Sequence, residues 1–157
     1  MTTATNGAAP IRPATRDDLP AIERLLIDSG LPTDGVADII HEHPADFYVA
    51  ENTADRSLVG VAGLELCCDD ALLRSVAVRP EWRSHGVGHE LVRRLVTDAE
   101  SRGIRALYLL TMTAEHYFPR FGFERVERGA VPKEIAETLE FKSACPASAT
   151  AMVKTLS

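Results

Sequence analysis

A glycine-containing loop near the middle of the chain has the residue pattern with the clearest chemical meaning. It reads Arg83-Ser84-His85-Gly86-Val87-Gly88, and the apolar spacing that follows predicts a long helix over residues 86–102. Backbone N–H groups at the start of a helix have no partners inside the helix, so they can hold a phosphate. Glycines let such a ligand approach the backbone closely. The pattern therefore indicates a phosphate-binding loop, with a plain strand-to-helix turn as the alternative, and it fits neither common nucleotide-binding glycine motif.

Charge is distributed unevenly around this loop. The 157-residue chain has 17 Lys and Arg against 23 Asp and Glu, for a formal net charge of −6. Residues 79–105 nevertheless contain six basic and four acidic residues, whereas residues 41–78 contain two basic and seven acidic ones. A net acidic chain argues against general binding of nucleic acid, which depends on contacts to phosphates. The local basic segment instead suits one small polyphosphate ligand.

A second pair of residues with chemical potential precedes the loop. The apolar runs at residues 58–66 and 71–78 are joined too closely for a crossover, which predicts an antiparallel hairpin. If Asp69 and Asp70 form the centre of the turn, Glu65 and Arg74 lie opposite each other. We predict that Arg74 binds a substrate carboxylate through two parallel hydrogen bonds. Glu65 is the candidate catalytic residue, because a carboxylate can orient a reacting group or take its proton. A structural cross-strand ion pair is the alternative.

The remaining elements must position these two groups. Asp17 or Asp18 is expected to cap a helix over residues 19–28, and Thr33 or Asp34 a second helix. The strand–helix–strand order from Leu73 to Leu110 predicts a parallel strand pair. Thr113 is expected to cap a short helix that ends near residue 120. Further strands are predicted at residues 11–14, 47–51, 106–110, 123–127 and 149–154, with another short helix at 132–138. The fold class is therefore α/β, a mixed and mostly antiparallel sheet of six to seven strands with helices on both faces.

Composition and cysteine content indicate the cellular compartment of the protein. No run of 18 apolar residues is present, so no membrane association is expected. Residues 1–10 are small and polar without the features of a signal peptide, and we predict a disordered tail followed by one domain over residues 11–157. Three cysteines, Cys67, Cys68 and Cys145, suit a reducing compartment, so a cytoplasmic location is expected. They form no Cys-x-x-Cys motif, and no metal site is predicted.

The loop motif resembles that of a known family. Arg83-Ser84-His85-Gly86-Val87-Gly88 matches the Arg/Gln-x-x-Gly-x-Gly/Ala signature of the GNAT superfamily of N-acetyltransferases, and residues 76–80 resemble the fourth strand of that family. Residues 118–123 resemble its Tyr-x-x-x-Gly-Phe segment. The resemblance covers nearly all of the chain after Pro10. More finely, residues 109–111, 114, 121–123 and 140–149 are similar to the arsenic-resistance N-acetyltransferases, which acetylate the α-amino group of glutamate analogues such as arsinothricin, and to the acetyltransferase domain of N-acetylglutamate synthases.

This resemblance implies acetyl-CoA as co-substrate, no metal, a small-molecule amine acceptor and a homodimer. The pyrophosphate would bind the loop amides, and the pantetheine arm would run between parallel strands that splay apart. The acceptor amine would attack the thioester directly, without a covalent acetyl-enzyme. The residues implied in binding acetyl-CoA are Val76, Ala77, Val78, Arg83, Ser84, His85, Gly86, Val87, Gly88, His89 and Phe118. The acceptor-side candidates are Arg74, Ser75, Thr111 and Ser148.

One position departs from the family pattern. Phe118 stands where the family often has a tyrosine that protonates the leaving thiolate, and Tyr117 comes one residue earlier, about 100° away if the segment is helical. Water can supply that proton instead, so the departure does not forbid catalysis. His116 is a weaker candidate for taking the amine's proton, and it is more simply explained as a surface residue. Two alternatives stay open: an acetyltransferase for another amine, such as a polyamine, an antibiotic or a protein terminus, and a non-catalytic acyl-CoA-binding regulatory module.

Overall fold

Seven strands and four α-helices make up the computed structural model, which describes residues 9–83, 85–112, 114–138, 141 and 149–156. The first half holds β1 (Ile11–Pro13), α1 (Leu19–Asp28), α2 (Val36–Glu42), β2 (Phe47–Glu51), β3 (Leu58–Cys67) and β4 (Asp70–Val78). The second half holds α3 (Val87–Ser101), β5 (Ala106–Thr111), β6 (Glu124–Arg125), α4 (Lys133–Ala136) and β7 (Thr150–Thr155). Among the described residues, no helix is long and apolar enough to cross a membrane.

The strands form one mixed sheet in the order β1-β2-β3-β4-β5-β7-β6. The pairs β1/β2, β2/β3, β5/β7 and β6/β7 are antiparallel, and β4/β5 is parallel. The parallel pair follows from the α3 crossover, as the sequence predicts. Its register joins Asp70, Ala71 and Leu72 to Ala106, Leu107 and Tyr108, only the first third of β4. The predicted α/β class, a mixed and mostly antiparallel sheet with one parallel pair, is therefore confirmed.

The first of two compact units contains residues up to Gly63 and from Ser75 to Leu95. Its core combines the apolar faces of α1 and α2 with inward side chains of β2, β3 and β4, among them Ile22, Leu26, Phe47, Val61 and Ala77. Burial of these side chains is the main stabilising contribution to the unit.

The second unit contains residues 64–74 and 96–157. Its described core joins Leu72 of β4 and Ala151 of β7 to three residues that follow β6: Val131, Ile135 and Phe141. The short helix α4 is thus fixed by packing more than by its own length, since four residues form barely one turn.

Helix starts differ from the sequence prediction. α1 begins after Asp18, but the Asp18 side chain makes no capping hydrogen bond. Its carboxylate instead accepts hydrogen bonds from Arg12 at 2.8 and 3.0 Å and from the Thr15 N–H at 2.7 Å. The N-cap of α2 is Gly35 with φ +81°, so the prediction of Thr33 or Asp34 is wrong. Only glycine adopts this backbone conformation without strain.

Several other boundaries shift. The hairpin turn is centred on Cys68 and Asp69, one residue earlier than predicted, with Cys68 at φ +61°. β6 has two residues where five were predicted. Thr113 lies outside the described residues, and the segment after it ends in a 3₁₀ turn, Phe118–Phe121. Of the predicted tail, residues 1–8 also lie outside the described residues, while the Pro10 carbonyl accepts a hydrogen bond from Glu51 N–H at 3.2 Å.

Candidate active site

The predicted phosphate-binding loop lies in the first unit and is fastened to strand backbone at its start. The Arg79 N–H donates to the Val59 carbonyl at 2.8 Å, and its Nε donates to the Leu58 carbonyl at 2.9 Å. Arg83 Nε donates to the Val78 carbonyl at 3.1 Å. Trp82 is buried between them in a 3₁₀ turn. The loop therefore leaves β4 in a fixed direction, although Ser84 lies outside the described residues.

The start of α3 provides the donors that a phosphate needs. The Glu90 N–H donates to the Gly86 carbonyl at 3.0 Å, and the N–H groups of Val87, Gly88 and His89 come before it at the start of α3. Gly86 has φ +81°, and a Cβ built there would meet nothing within 4 Å. The backbone at Gly86 is thus open to a ligand. These residues fit a pyrophosphate, which supports their predicted role with acetyl-CoA.

A glycine that sequence reasoning missed lets α3 lie close to β3. A Cβ on Gly60 would stand 2.9 Å from Val87 Cγ1 and 3.0 Å from Leu91 Cδ1. Real Cβ atoms almost never come this near, so the first turns of α3 require glycine at this position. A glycine inside an apolar strand usually marks such a close approach, and that signal was present in the sequence.

The basic segment is largely occupied by contacts within the protein. Its arginines pair with neighbouring carboxylates or an aromatic ring: Arg93 with Glu90, Arg102 with Asp98, Arg105 with Asp70, and Arg94 over the ring of Tyr48 at 5.1 Å. The local positive charge available to a ligand is therefore smaller than the composition indicates. Arg79 and Arg83 are the arginines at the loop itself, beside His85, whose ring lies 5.5 Å from that of Trp82.

The acceptor-side pair lies in the second unit. Arg74 Nη1 donates to Glu65 Oε1 at 2.9 Å, so the structure brings these residues together even though the turn is one residue earlier than predicted. The two side chains are unequal in exposure: 0% for Arg74 and 23% for Glu65. In this conformation Glu65 is the accessible member of the pair, and the Arg74 guanidinium lies behind it.

The backbone conformation changes directly after Arg74. Ser75 is buried and has φ +62°, in the left-handed region that non-glycine residues rarely occupy. Such a residue inside a strand is typical of a bulge, which re-aims the side chains on either side. Beyond it, Val76 and Val78 are half-buried while Ala77 packs into the core. Nothing in the sequence signals this conformation, because serine carries no preference for it.

The other acceptor-side candidates are less open. The Thr111 hydroxyl oxygen accepts a hydrogen bond from the Ala114 N–H at 2.9 Å, a local backbone bond of the kind expected for a threonine at a strand end. Ser148 lies outside the described residues.

Phe118 is buried and packs edge-on against Phe123 and Tyr117, with centroids 5.8 and 5.3 Å apart. Burial raises the pKa of the Tyr117 phenol, and His116 is exposed.

The thiols do not assemble into a metal site in the described part of the chain. Cys67 and Cys68 are free, and burial raises the pKa of Cys67 to about 11. Among the described residues, no three His, Cys, Asp or Glu side chains are grouped to hold a metal ion. Cys145 lies outside that part of the chain.

Comparison with known proteins identifies the class. Residues 43–125 match the acetyltransferase (GNAT) domain. The chain is 30% identical over 139 residues to an amino-acid acetyltransferase of Mycobacterium tuberculosis, covering 82% of this chain and 76% of that one. The chain belongs to the GNAT family. It is an acetyl-CoA-dependent N-acetyltransferase, and this class gives no support to the non-catalytic alternative.

Solved structures agree with this class. A Mycobacterium tuberculosis protein in complex with CoA is 27% identical, with a TM-score of 0.76 over 94% of this chain and 99% of that one. N-acetylglutamate synthase from Neisseria gonorrhoeae, complexed with coenzyme A and N-acetyl-glutamate, has a TM-score of 0.78 at 23% identity. This chain corresponds to 35% of that longer protein, and the likeness concerns the fold alone. The predicted fold class, enzyme class and co-substrate are thus confirmed.

Proposed function

We propose that this enzyme acetylates the α-amino group of a small amino acid or glutamate analogue. The observation that carries the proposal is the likeness to the amino-acid acetyltransferase of Mycobacterium tuberculosis, which extends over 82% of the chain rather than over the loop alone. Its acceptor would be a molecule with both an amine and a carboxylate. More specifically, we propose arsinothricin or phosphinothricin as the acceptor, and acetylation of either compound would confer resistance to it.

The reaction balances simply. The amine nitrogen forms a bond to the thioester carbonyl carbon, and the carbon–sulfur bond breaks to release CoA. One proton leaves the attacking nitrogen, and one proton reaches the departing thiolate. Developing charge on the carbonyl oxygen would be met by a backbone N–H near Val78. With Phe118 at the family's tyrosine position and buried among aromatic rings, solvent is the proposed source of the thiolate's proton.

The two ligands use different parts of the chain in this proposal. Acetyl-CoA would bind the loop amides from Arg83 to His89 and the segment Val76–Val78, supported by the position of these amides at the start of α3 and by the open face at Gly86. Phe118 remains a proposed contact of acetyl-CoA. The acceptor would bind near Glu65 and Arg74, with Ser75, Thr111 and Ser148 as further proposed contacts.

Assembly and location belong to the same proposal. We propose a cytoplasmic homodimer that forms through a sheet edge, since β1 and β6 end the strand order. Light scattering after size-exclusion chromatography would give a mass of two chains. A mass of one chain would contradict the dimer.

The experiment that tests the function is a panel of amines screened with acetyl-CoA by release of free thiol. The panel contains glutamate, arsinothricin, phosphinothricin, the α-amides of these amino acids, and polyamines. We expect CoA release with at least one amino acid and little with the polyamines. Binding of acetyl-CoA without thiol release for any amino acid would contradict the proposed acceptor class.

A further inference from the structure

The accessible group of the acceptor-side pair is a carboxylate, not a guanidinium. The Arg74 side chain is fully buried, whereas the Glu65 side chain is 23% exposed. A ligand cannot touch Arg74 in this conformation, but it can touch Glu65. Because the acceptor of an N-acetyltransferase presents an amine, the exposed carboxylate is complementary to its N–H groups. The pair thus consists of an outer carboxylate that a ligand can contact and an inner guanidinium that it cannot.

The chemistry of the inner group suits a supporting role. A guanidinium is always charged, and burying it without a partner would be strongly unfavourable. Arg74 Nη1 donates to Glu65 Oε1 at 2.9 Å, which compensates the guanidinium's buried charge and fixes the direction of the carboxylate. A carboxylate offers about four lone-pair sites, so this hydrogen bond leaves acceptor capacity on Glu65. The second oxygen, Oε2, is not the one that Arg74 Nη1 contacts.

The neighbouring residues hold this arrangement rigidly. Leu64 beside Glu65 and Leu73 beside Arg74 are both buried, at 0% and 2% exposure, so neither strand can rotate its backbone freely. Ser75, with its left-handed φ, directly follows Arg74, and β4 has left its register with β5 after Leu72. Arg74 therefore comes after the three residues of β4 that pair with β5, on the strand that continues into Val76–Val78.

We infer that Glu65 receives the amino group of the acceptor and that Arg74 is a positioning residue, which acts by holding Glu65. This inference rests on the proposed function and names the group that the amine meets. It also redefines Arg74, which the sequence pattern presented as a receptor for the substrate carboxylate. The α-amino group of a free amino acid is almost fully protonated at neutral pH, so it must lose a proton before attack. Glu65 would orient this group and accept its hydrogen bond.

The test compares Glu65→Gln, Arg74→Gln, Arg74→Lys and the double variant Glu65→Gln/Arg74→Gln in the full chain. Kinetics use the best acceptor of the amine panel, both as the free amino acid and as its α-amide. The matched control is Asp98→Asn, since Asp98 is 27% exposed and pairs with Arg102 at 3.2 Å on the surface of α3. Calorimetry measures acetyl-CoA binding to every variant, which shows that the loop is intact.

We expect Glu65→Gln to lower kcat/KM for the amine roughly 10- to 100-fold, the usual effect of losing a hydrogen bond to a charged group, with acetyl-CoA binding unchanged. Arg74→Gln should lose about as much, Arg74→Lys should recover part of it, and the double variant should be no worse than Glu65→Gln. Asp98→Asn should stay within about twofold of the wild type. The ratio of kcat/KM for the acid to that for the amide should be the same in Arg74→Gln as in the wild type.

Two results would overturn the inference. Losses that multiply in the double variant would show that Arg74 acts independently of Glu65. An acid-to-amide ratio that falls to one in Arg74→Gln would make Arg74 the carboxylate receptor.

If Arg74→Gln fails to fold, the same acid-to-amide ratio is measured in Arg74→Lys and Glu65→Gln. Should the wild type prefer amines without a carboxylate, the proposed acceptor class fails, while the effect of Glu65→Gln on that amine still tests the inference. With no turnover at all, calorimetric binding of the panel amines to the CoA complex gives the comparison, and equal affinity in wild type and Glu65→Gln would refute the role of Glu65.

Discussion

Single residues with unusual backbone conformations mark both parts of the site. Gly86 at φ +81° opens the loop before α3, and Ser75 at φ +62° breaks β4 directly after Arg74. The first was foreseeable, because glycine is the residue that adopts this conformation at little cost. The second was not, since serine gives no such signal. The backbone at Gly86 is exposed, whereas Ser75 is buried.

At Gly86, alanine would introduce backbone strain without any steric clash, because a Cβ meets nothing within 4 Å. The same is true of Gly30, at φ +72°, and Gly103, at φ +76°. We expect each Gly→Ala change to lower the free energy of unfolding by about 1 kcal/mol. Only Gly86→Ala should also weaken acetyl-CoA binding, by roughly tenfold, because its strain falls on the loop amides.

Calorimetric titration with acetyl-CoA and thermal unfolding measure the two effects of these glycine changes separately. Gly30→Ala and Gly103→Ala are the controls for stability alone. An unchanged dissociation constant for Gly86→Ala, at equal loss of stability, would show that the loop conformation does not matter for the ligand.

Whole elements hold the loop in place through contacts that sequence patterns indicate only in part. The periodicity of residues 86–102 and the short hairpin connection predicted α3, β3, β4 and the parallel β5 to within one or two residues. β6 and α4 were predicted too long, because their extents depend on packing against Ala151 and Phe141 rather than on local pattern. The Glu65–Arg74 contact was predicted from the hairpin, but their unequal burial depends on tertiary neighbours that the sequence does not reveal.

The contact between β3 and α3 gives a prediction at this scale. Gly60→Ala would press on Val87 and Leu91, so the first turn of α3 must move outward. Overpacking of this kind should lower the free energy of unfolding by about 2 kcal/mol. We expect acetyl-CoA affinity to fall several-fold in addition, because the N–H groups at the start of α3 move with that turn.

Gly63→Ala is the matched variant for this comparison. Its Cβ would stand 2.3 Å from the Phe47 ring, so it overpacks the same strand at a site that does not contact α3 in this way. Stability should fall at least as much as for Gly60→Ala, while the acetyl-CoA affinity of the folded protein should hold. Equal loss of affinity in both variants would mean that strand packing in general, and not the seat of α3, controls the loop.

The edge of the first unit carries an ionic network whose effect depends on pH. Arg12 donates to Asp18 at 2.8 and 3.0 Å and to Glu51 at 2.9 Å. Hydrogen bonding to Arg12 lowers the pKa of Asp18. A carboxylate with a lowered pKa in the folded state stabilises the fold above its unfolded pKa, and this contribution is lost as pH falls through the folded value.

Replacing the arginine should therefore remove a pH-dependent contribution. Arg12→Gln should lower the free energy of unfolding by about 1–2 kcal/mol at neutral pH. The difference from wild type should begin to shrink as pH falls below roughly 4, the unfolded pKa of an aspartate, and should be lost once pH falls through the lowered folded pKa of Asp18. Denaturant titrations across this range measure it, with Arg102→Gln as a control that changes stability by less than about 0.5 kcal/mol. A difference that stays constant down to low pH would assign the effect to packing of the Arg12 side chain.

For the molecule as a whole, the net charge of −6 conceals a loop that is chemically suited to an anion. The arginines of the basic segment mostly neutralise carboxylates of this same chain, as Arg93 does with Glu90. Phosphate binding therefore depends on backbone donors more than on the number of arginines. This distinction determines which part of acetyl-CoA should stabilise the fold.

Acetyl-CoA binds the folded chain and should therefore raise its melting temperature by mass action. At a concentration one hundred times the dissociation constant, the gain is about 2.7 kcal/mol, or roughly 5–10 °C for a chain of this length. Acetyl-pantetheine has the thioester but no pyrophosphate, so it cannot use the N–H groups of Val87, Gly88 and His89. At the same concentration it should raise the melting temperature by no more than about 2 °C. If both compounds stabilise equally, the binding energy resides in the pantetheine arm along Val76–Val78, and the helix start contributes little. Repeating the titration with Gly86→Ala separates these cases further, because that change should reduce the gain from acetyl-CoA and leave the smaller gain from acetyl-pantetheine as it is.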